Sequence, residues 1–284
     1  LELTYDEHSQ VYEYCKTKGI KYLASAFDNE SLSFLADIGI TKVKIASGEI
    51  TNGPFLLQHA KNFDEIILST GMADTKDIQQ ALSILAFGMI YPKKTPTLET
   101  INSFAKSHEA AVILEKKVTI LHCTSDYPPL DEDLNLSCIP ELKKYFGLSV
   151  GYSDHTSKIL TSQLAILFGA NVIEKHVTLD KSMLGPDHAA SSTINDFAEL
   201  IKSSKFINAS YGDGEKVCTT NEILNKVVVR KSLCASKKIN AGDLLTNENI
   251  TAMRPGSGIS PMYYWEYIGS IATKDYEEGD LIEQ

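Results

Sequence analysis

The stretch LSVGYSDHT, residues 148–156, shows the pattern on which the fold of this chain is built. A short and largely apolar run ends in polar side chains that can bind a ligand. Similar runs recur along the chain, most beginning roughly 20 to 30 residues apart, which is the spacing of repeated βα units. Several are nearly all apolar, so they predict parallel strands covered on both faces by helices. These runs lie at residues 21–27, 42–47, 65–70, 118–123 and 171–177.

Amphipathic segments lie between the runs and predict the helices that connect parallel strands. Asn29 and Ser31 begin one of these segments and Asp74 begins another, as is typical of residues at helix N-termini. Residues 160–168 and 196–207 repeat the pattern. The segments predict an α/β fold, for which a doubly wound sheet and a closed barrel both remain open.

Two parts of the chain depart from this pattern. Residues 87–117 are too long for one connection, so we expect an excursion there with a helix near residues 97–107. From Tyr211 onward, Gly and Asp residues form a linker that leads into a polar helix or turn, and short alternating runs between turns follow. We therefore expect an α/β domain over residues 1–210, a linker over 211–225 and a small, mainly-β domain over 226–284.

Composition and charge narrow the classes of partner. The 284 residues carry 37 Asp and Glu against 27 Lys and Arg, a formal net charge of −10. Duplex nucleic acid and anionic membranes are poor partners for such a chain, whereas a few local cations are enough to bind a small anionic substrate. No apolar stretch approaches the about 20 residues that cross a bilayer. Five cysteines without a CxxC pair indicate reduced thiols, and we expect a cytoplasmic protein.

Candidate functional residues lie where the predicted strands end, because ligands of parallel α/β folds bind beyond the carboxyl ends of the strands. Taken singly, the hydroxyl residues also fit helix capping, and the charged residues also fit a solvated rim. His155 and His176 differ because they end neighbouring strands beside acidic residues, and two converging imidazoles can share a divalent ion. Lys44 and nearby hydroxyls can hold a phosphate or carboxylate. The candidates are Ser25, Lys44, Ser47, Glu49, Thr70, Thr124, Ser125, Tyr127, Ser153, His155, Glu174, His176 and Asp187.

Seven motifs, in order and over essentially the whole chain, resemble the N-acetylneuraminate (sialic acid) synthase family. The resemblance implies a (β/α)8 barrel of the TIM type, a C-terminal SAF domain similar to type III antifreeze protein, and a homodimer with swapped C-terminal domains. The motifs are KIASGE at 44–49, ILSTGM at 67–72, LHCT at 121–124 with Tyr127 and Pro128, GYSDHT at 151–156, VIEKH at 172–176, GPD at 185–187 and RPG at 254–256.

The family condenses phosphoenolpyruvate with N-acetylmannosamine, or a close N-acyl mannosamine, to N-acetylneuraminate and phosphate by C–O cleavage. Carried over by motif, His155 and His176 would bind the divalent ion, Mn or Mg, that polarises the sugar aldehyde. Glu174 would handle protons or orient the attacking water, and Arg254 of the partner subunit would reach the N-acyl group. The sugar would be bound in the catalytic site by Glu49, Tyr127 and Asp187. The phosphoenolpyruvate would be held by Ser25, Lys44, Ser47 and Ser153, with Thr124 and Ser125 close by, and Thr70 is a further candidate substrate ligand.

The sequence departs from the family pattern in three respects. Ser125 stands where the family can carry Asn, and Ser25 stands where Thr is usual. Six strand runs are visible where the barrel needs eight, so we expect the first two βα units to be missing, together with a phosphate-binding Lys and an acidic catalytic residue. The 284 residues alone are then expected to be inactive, with an exposed apolar edge prone to association.

Alternative functions follow from the same residues. A legionaminic or related nonulosonic acid synthase would use a 6-deoxy diacetamido sugar and share every motif, and residues 185–188 resemble the sialic and legionaminic branches more than the pseudaminic one. A metal-dependent barrel hydrolase would also use His155 and His176, but it gives no reason for the anion-binding Lys44 and Ser153. An ice-binding or carbohydrate-binding protein is suggested by the C-terminal domain alone.

Overall fold

A computed structural model describes residues 3–283 of the chain. The chain divides into two compact units between Gly212 and Asp213, close to the end predicted for the first domain at residue 210. All five cysteines are free thiols. Among residues 3–283, no helix combines the length and the apolar character needed to span a bilayer.

Five parallel strands form the sheet of the first unit, and each pairs with the next one along the chain. Each predicted run from residue 42 to residue 177 contains one of these strands, so the prediction of a parallel α/β fold is confirmed. The strands are β1 Lys42–Ile45, β2 Glu65–Ser69, β3 Val118–Cys123, β4 Ser149–Asp154 and β5 Ile173–Lys175. Two further short strands, β6 Val177–Thr178 and β7 Ser192–Thr193, pair in parallel beyond β5.

Nine helices accompany the strands in the described part of the first unit. Seven of the nine begin at a side chain that caps the helix N-terminus: Asp74, for example, accepts hydrogen bonds from the amides of Lys76 and Asp77 at the start of the helix Thr75–Ile90. The helices are α1 Tyr5–Lys18, α2 Asn29–Asp37, α3 Gly53–Asn62, α4 Thr75–Ile90, α5 Leu98–Phe104, α6 His108–Lys117, α7 Cys138–Phe146, α8 Ile159–Leu167 and α9 Ile194–Tyr211.

The excursion at 87–117 contains two helices where the sequence predicted one near 97–107. Thr97 accepts a hydrogen bond from the amide of Thr100 at the start of α5, and Ser107 accepts one from the amide of Ala110 at the start of α6. Since each cap begins its own helix, the segment turns between Phe104 and Ser107 instead of continuing.

The prediction of a strand at residues 21–27 is wrong. A β-strand requires a ladder of hydrogen bonds, and this segment makes one such bond to β1, from the Lys44 amide to the Ala24 carbonyl at 3.3 Å. The run is largely apolar, as expected of a buried strand, but the segment lies beside the sheet without joining it.

The sheet curls into a half-barrel, as Lys44 on β1 and Glu174 on β5 demonstrate. Neighbouring strands are about 4.8 Å apart, so a flat sheet would separate the outer strands by roughly 19 Å. Yet the Lys44 ammonium lies 3.3 Å from a Glu174 carboxylate oxygen. The outer strands therefore face each other across the interior, as expected for part of a barrel.

Alternation along the strands separates the core from the interior of the half-barrel. Val43, Ile45, Ile66 and Leu68 face the helices and are at most 1% exposed. Lys44, between two of these residues, faces the other side together with the residues paired to it across the ladder. The hydrophobic core thus holds the strands from outside while polar side chains project inward.

The second unit is mainly β with short elements. Its strands β8 Ser232–Ala235 and β9 Ile250–Met253 are antiparallel, and single bridges join the turns around them. Helix α10, Thr220–Val229, begins within the predicted linker and crosses its predicted end at residue 225, and a short helix α11 spans Tyr264–Tyr267. The core of the unit contains Leu233, Ile239, Leu245, Ile250, Tyr276 and Ile282.

His59 on α3 makes the stability of the first unit dependent on pH. Its Nδ1 donates to the Phe55 carbonyl, its Nε2 has no partner in the described chain, and burial lowers its pKa below the ordinary range for histidine. The unfolded chain therefore takes up a proton at a higher pH than the folded chain, and stability falls as pH drops below about 6.5. We expect His59 to contribute up to about 1.4 kcal/mol per pH unit to this fall.

Urea unfolding of His59→Leu at several pH values between 7 and 5 tests this expectation. The variant should show a weaker dependence of the free energy of unfolding on pH than the unmodified protein. His108→Leu, which replaces an exposed histidine at the start of α6, is the matched control. Equal slopes for the unmodified protein and His59→Leu would contradict the expectation.

Candidate functional site

The ladder between β4 and β5 places Ser153 directly beside Glu174 on the inner face of the half-barrel. The Ser153 hydroxyl donates to Glu174 Oε1 at 2.7 Å, and the Lys44 ammonium lies 3.3 Å from the same oxygen. The side chains of Lys44 and Glu174 are 18% and 34% exposed, so solvent screens this pair only in part. A cation, a hydroxyl and a carboxylate from three strands thus meet at one point.

His155 and His176 follow β4 and β5 and stand above this point, with ring centroids 5.7 Å apart. His155 Nδ1 lies 2.8 Å from the Thr124 carbonyl, which can only accept a hydrogen bond, so Nδ1 carries the proton and Nε2 carries a lone pair. Burial, more than any other cause, lowers the pKa of His155, and the neighbouring His176 lowers it further. His155 is therefore a neutral imidazole at pH 7, and its Nε2, 3.3 Å from the Ser153 hydroxyl oxygen, carries the lone pair that can bind a metal.

The two imidazoles fit a divalent ion as two of its ligands. A histidine that binds a metal through one ring nitrogen usually donates a hydrogen bond from the other, often to a backbone carbonyl. The bond from His155 Nδ1 to the Thr124 carbonyl is of this kind. In the described part of the chain, no group of three or more His, Cys, Asp and Glu side chains is placed to hold a metal ion. A metal at this point would therefore take its remaining ligands from water or substrate oxygens.

Tyr127 and Asp187 border the histidines. The Tyr127 ring lies 4.2 Å from the His155 ring and 5.8 Å from the His176 ring, measured between centroids. Asp187 Oδ2 is 4.0 Å from His176 Nδ1. Partial burial chiefly raises the pKa of Tyr127, and negative groups nearby add to the effect, so the phenol stays protonated and can donate a hydrogen bond.

Gly71 closes a narrow cradle with Ser47 and Ser125. The two hydroxyl oxygens are 3.4 Å apart, and a Cβ on Gly71 would lie 2.5 Å from both Ser125 Oγ and Ser47 Cβ. Gly71 also has a φ of +43°, in the left-handed region that favours glycine. Hydroxyl groups around a half-buried turn of backbone are suited to binding an anion.

Cys123 supports this cradle and was not singled out from the sequence. The Gly71 amide donates to its sulfur at 3.0 Å, and burial raises the pKa of the thiol, which therefore stays neutral. Alternation along β3 could have indicated that Cys123 belongs to the site. Cys123 pairs with Ser153 across the ladder, so its side chain points to the same face of the sheet.

Two of the predicted hydroxyl ligands, Thr70 and Thr124, donate their hydrogen bonds to backbone carbonyls. The Thr70 hydroxyl is buried and donates to the Leu121 carbonyl at 2.9 Å. The Thr124 hydroxyl donates to the Asp133 carbonyl at 3.2 Å, while the Thr124 carbonyl holds His155. Both residues therefore help to shape the site through the backbone.

Three further predicted residues lie apart from the contacts described above. The Glu49 carboxylate accepts a hydrogen bond from the side-chain amide of Asn52 at 2.7 Å, on the short 3-10 turn that also contains Ser47. Ser25 lines a separate cavity of about 330 Å³ with His8 and Asp28. Arg254 belongs to the second unit, where its Nε donates to the Val229 carbonyl at 3.0 Å.

Comparison with known proteins extends the resemblance noted in the sequence. The NeuB family matches residues 1–216, and the SAF domain matches residues 230–284. The N,N'-diacetyllegionaminic acid synthase of Campylobacter jejuni is 41% identical over all of this chain and 78% of its own length. The enzyme of the same name from Legionella pneumophila is 34% identical over 99% of this chain and 73% of its own length.

A solved structure agrees with both the fold and the family. The crystal structure of N-acetylneuraminic acid (sialic acid) synthetase from Leptospira borgpetersenii matches with a TM-score of 0.66 and 31% identity, over 79% of this chain and 70% of the other. The SAF match confirms the small C-terminal domain expected from the sequence. The chain therefore belongs to the NeuB family of nonulosonic acid synthases.

Proposed function

We propose that the protein condenses phosphoenolpyruvate with a 6-deoxy diacetamido sugar to give N,N'-diacetyllegionaminic acid and phosphate. The observation that carries this proposal is the 41% identity, over the whole chain, to a relative with that activity in its name. The sequence motifs predict N-acetylneuraminate as the product, with the legionaminic product as the alternative, and the relatives favour the alternative.

The site contains groups suited to phosphoenolpyruvate. Its phosphate and carboxylate need cations and donors, and Lys44, Ser153 and the cradle of Ser47 and Ser125 offer them within one interior. When the anion binds, it competes with Glu174 for the Lys44 ammonium. The carboxylate of Glu174 is then released toward the reacting atoms.

In the reaction we propose, C3 of the enolpyruvate forms a bond to the aldehyde carbon of the open-chain sugar. The aldehyde oxygen takes up a proton, water adds at C2, and the bond between C2 and the phosphate oxygen breaks. Glu174 accepts the proton of the attacking water, because it is the carboxylate nearest to the anion-binding Lys44 and Ser153. Tyr127 donates a hydrogen bond to the sugar, and Glu49 and Asp187 bind its hydroxyl or amide groups.

A divalent ion, Mn or Mg, fits the imidazoles of His155 and His176, and when bound it would act as a Lewis acid toward the sugar aldehyde. The contribution of the chain is to keep both rings oriented. The Thr124 carbonyl does so for His155, and Asp187 borders His176.

We propose that Arg254 acts in the site of the other subunit of a homodimer. Its side chain is exposed, and the bond from its Nε to the Val229 carbonyl orients the guanidinium group. The resemblance to the sialic acid synthase family implies that this arginine acts on the site of the partner subunit. We propose that it binds an N-acyl carbonyl of the sugar in the same way.

Phosphate release with two matched sugars tests the function. The full-length protein is given phosphoenolpyruvate, MnCl₂ and either the 6-deoxy diacetamido sugar or N-acetylmannosamine, and mass spectrometry identifies the product. We expect kcat/KM to be about 100-fold or more higher with the diacetamido sugar, because a site built to bind a second amide leaves polar groups unpaired when that amide is absent.

Reactions without sugar and reactions with a chelator are the controls for this measurement. A preference for N-acetylmannosamine would instead assign the protein to N-acetylneuraminate synthesis, which the similarity to the solved sialic acid synthetase favours. No phosphate release with either sugar would contradict the proposed condensation altogether.

A further inference from the structure

The ends of β4 and β5 carry a second pair of side chains on the face opposite to the site. Along each strand successive residues point to opposite faces, so Ser153 and Glu174 point inward while Asp154 and Lys175 point outward. Asp154 and Lys175 are direct partners across the ladder, as Ser153 and Glu174 are. The proposed function assigns no role to this outer pair.

Asp154 and Lys175 form an ion pair that is shut off from solvent. Lys175 Nζ lies 2.9 Å from Asp154 Oδ2, and the two side chains are 1% and 0% exposed. The Ser162 hydroxyl, from α8, also donates to Asp154 Oδ2. This is the ion pair with the least exposed side chains among those of the described chain.

The pair also holds both backbone groups of Thr156. The Thr156 amide donates to Asp154 Oδ1 at 2.9 Å, and the Thr156 carbonyl accepts from Lys175 Nζ at 2.7 Å. His155 therefore lies between Asp154, which is fixed in the ladder, and Thr156, which is fixed by the pair. On β5, Lys175 lies between Glu174 and His176 in the same manner.

Stability alone gives little reason for such a pair. Removing two charges from water costs about as much as their attraction returns, and apolar side chains of similar volume often serve a core equally well. Unlike an apolar contact, the ion pair makes hydrogen bonds, which are directional. These bonds hold the turn after β4 in one geometry.

We propose that Asp154 and Lys175 are positioning residues that set the orientation of His155. The role of His155 as a metal ligand rests on the proposed function, whereas its orientation does not. Loss of the pair should loosen the turn at Thr156, and with it the bond from His155 Nδ1 to the Thr124 carbonyl.

The double variant Asp154→Leu with Lys175→Met tests the proposal without leaving a buried charge unpaired. The matched control is Lys42→Met with Glu65→Leu, which removes the other Lys–acid ladder pair of the sheet, between β1 and β2, where the ammonium and carboxylate are 3.1 Å apart. Three quantities are measured in the full-length protein: the thermal midpoint, the NMR signal of the His155 Nδ1 proton without metal, and the affinity for Mn²⁺.

We expect the double variant to fold while the His155 Nδ1 proton signal broadens by exchange with water and the affinity for Mn²⁺ falls about 10- to 100-fold. The control pair should leave both quantities unchanged. A double variant that keeps the His155 signal would overturn the proposal and leave the pair as a packing element. Failure of the unmodified protein to bind Mn²⁺ would count against the proposed function, and the metal-free NMR comparison would still decide the positioning role.

Ser162→Ala gives the same test if the double variant does not fold. It removes one donor to Asp154 from α8 and leaves the ion pair in place. We then expect a smaller change of the same kind, with faster exchange of the His155 Nδ1 proton than in the unmodified protein. An unchanged exchange rate in a folded Ser162→Ala protein would overturn the proposal.

Discussion

Glu174→Gln is expected to lower kcat about 10²- to 10⁴-fold while the KM for phosphoenolpyruvate does not rise. Glutamine keeps the shape of the side chain and an oxygen that accepts the Ser153 hydroxyl, but it cannot take up the proton of the attacking water. It also no longer pairs with the Lys44 ammonium, which then binds the incoming anion without a competing carboxylate. Steady-state kinetics with phosphoenolpyruvate varied at saturating sugar would measure both parameters.

Glu65→Gln is the matched control for this substitution. Glu65 pairs with Lys42 between neighbouring strands of the same sheet, and we place it outside the site. Its replacement should leave kcat and KM close to those of the unmodified protein. A full kcat in Glu174→Gln would contradict the assignment of Glu174 as the proton acceptor.

Gly71→Ala is expected to raise the KM for phosphoenolpyruvate about 10- to 100-fold, since small displacements of positioned groups have effects of this size. The new Cβ would lie 2.5 Å from Ser47 Cβ and Ser125 Oγ, so the two hydroxyls must move apart. The φ of +43° adds strain for alanine, and we expect a loss of about 1–3 kcal/mol in the free energy of unfolding. Kinetics and urea unfolding measure the two effects separately.

Gly48→Ala provides the control for Gly71→Ala. A Cβ on Gly48 meets no atom within 4 Å, and its φ lies outside the left-handed region, although the residue lies directly beside Ser47. This variant should bind phosphoenolpyruvate normally. If Gly71→Ala also retained the normal KM, the cradle of Ser47 and Ser125 would not be the anion-binding site.

Local sequence was enough to place most elements of the first unit. The runs at 42–47, 65–70 and 118–123 each contain a strand, because their apolar side chains are buried against helices on the outer face. The helix beginning after Asp74 was equally clear, since capping is a contact between residues three apart. The run at 21–27 failed because strand formation depends on a partner ladder, which no local pattern contains.

The order of motifs along the chain also sufficed to identify the family and the candidate side chains, because their residue types and spacing are local properties. It could not show which of those side chains meet. Thr70 and Thr124 carry the expected hydroxyls, but each donates to a backbone carbonyl, and this depends on segments 51 and 9 residues away in sequence. Likewise, the absence of a side chain at Gly151 becomes meaningful only because Leu121 and the Val172 carbonyl approach it in the folded sheet.

The sequence by itself determined the parallel strands, the capped helices, the small β domain and the chemical types of the site residues, since each depends on alternation, capping or composition within a short stretch. Only the tertiary structure decided that Lys44 and Glu174, from opposite edges of the sheet, lie 3.3 Å apart. It also decided that Asp154 and Lys175 are buried together behind the histidines. Both contacts depend on the curl and the register of five strands, which arise from the packing of the whole unit and not from any one segment.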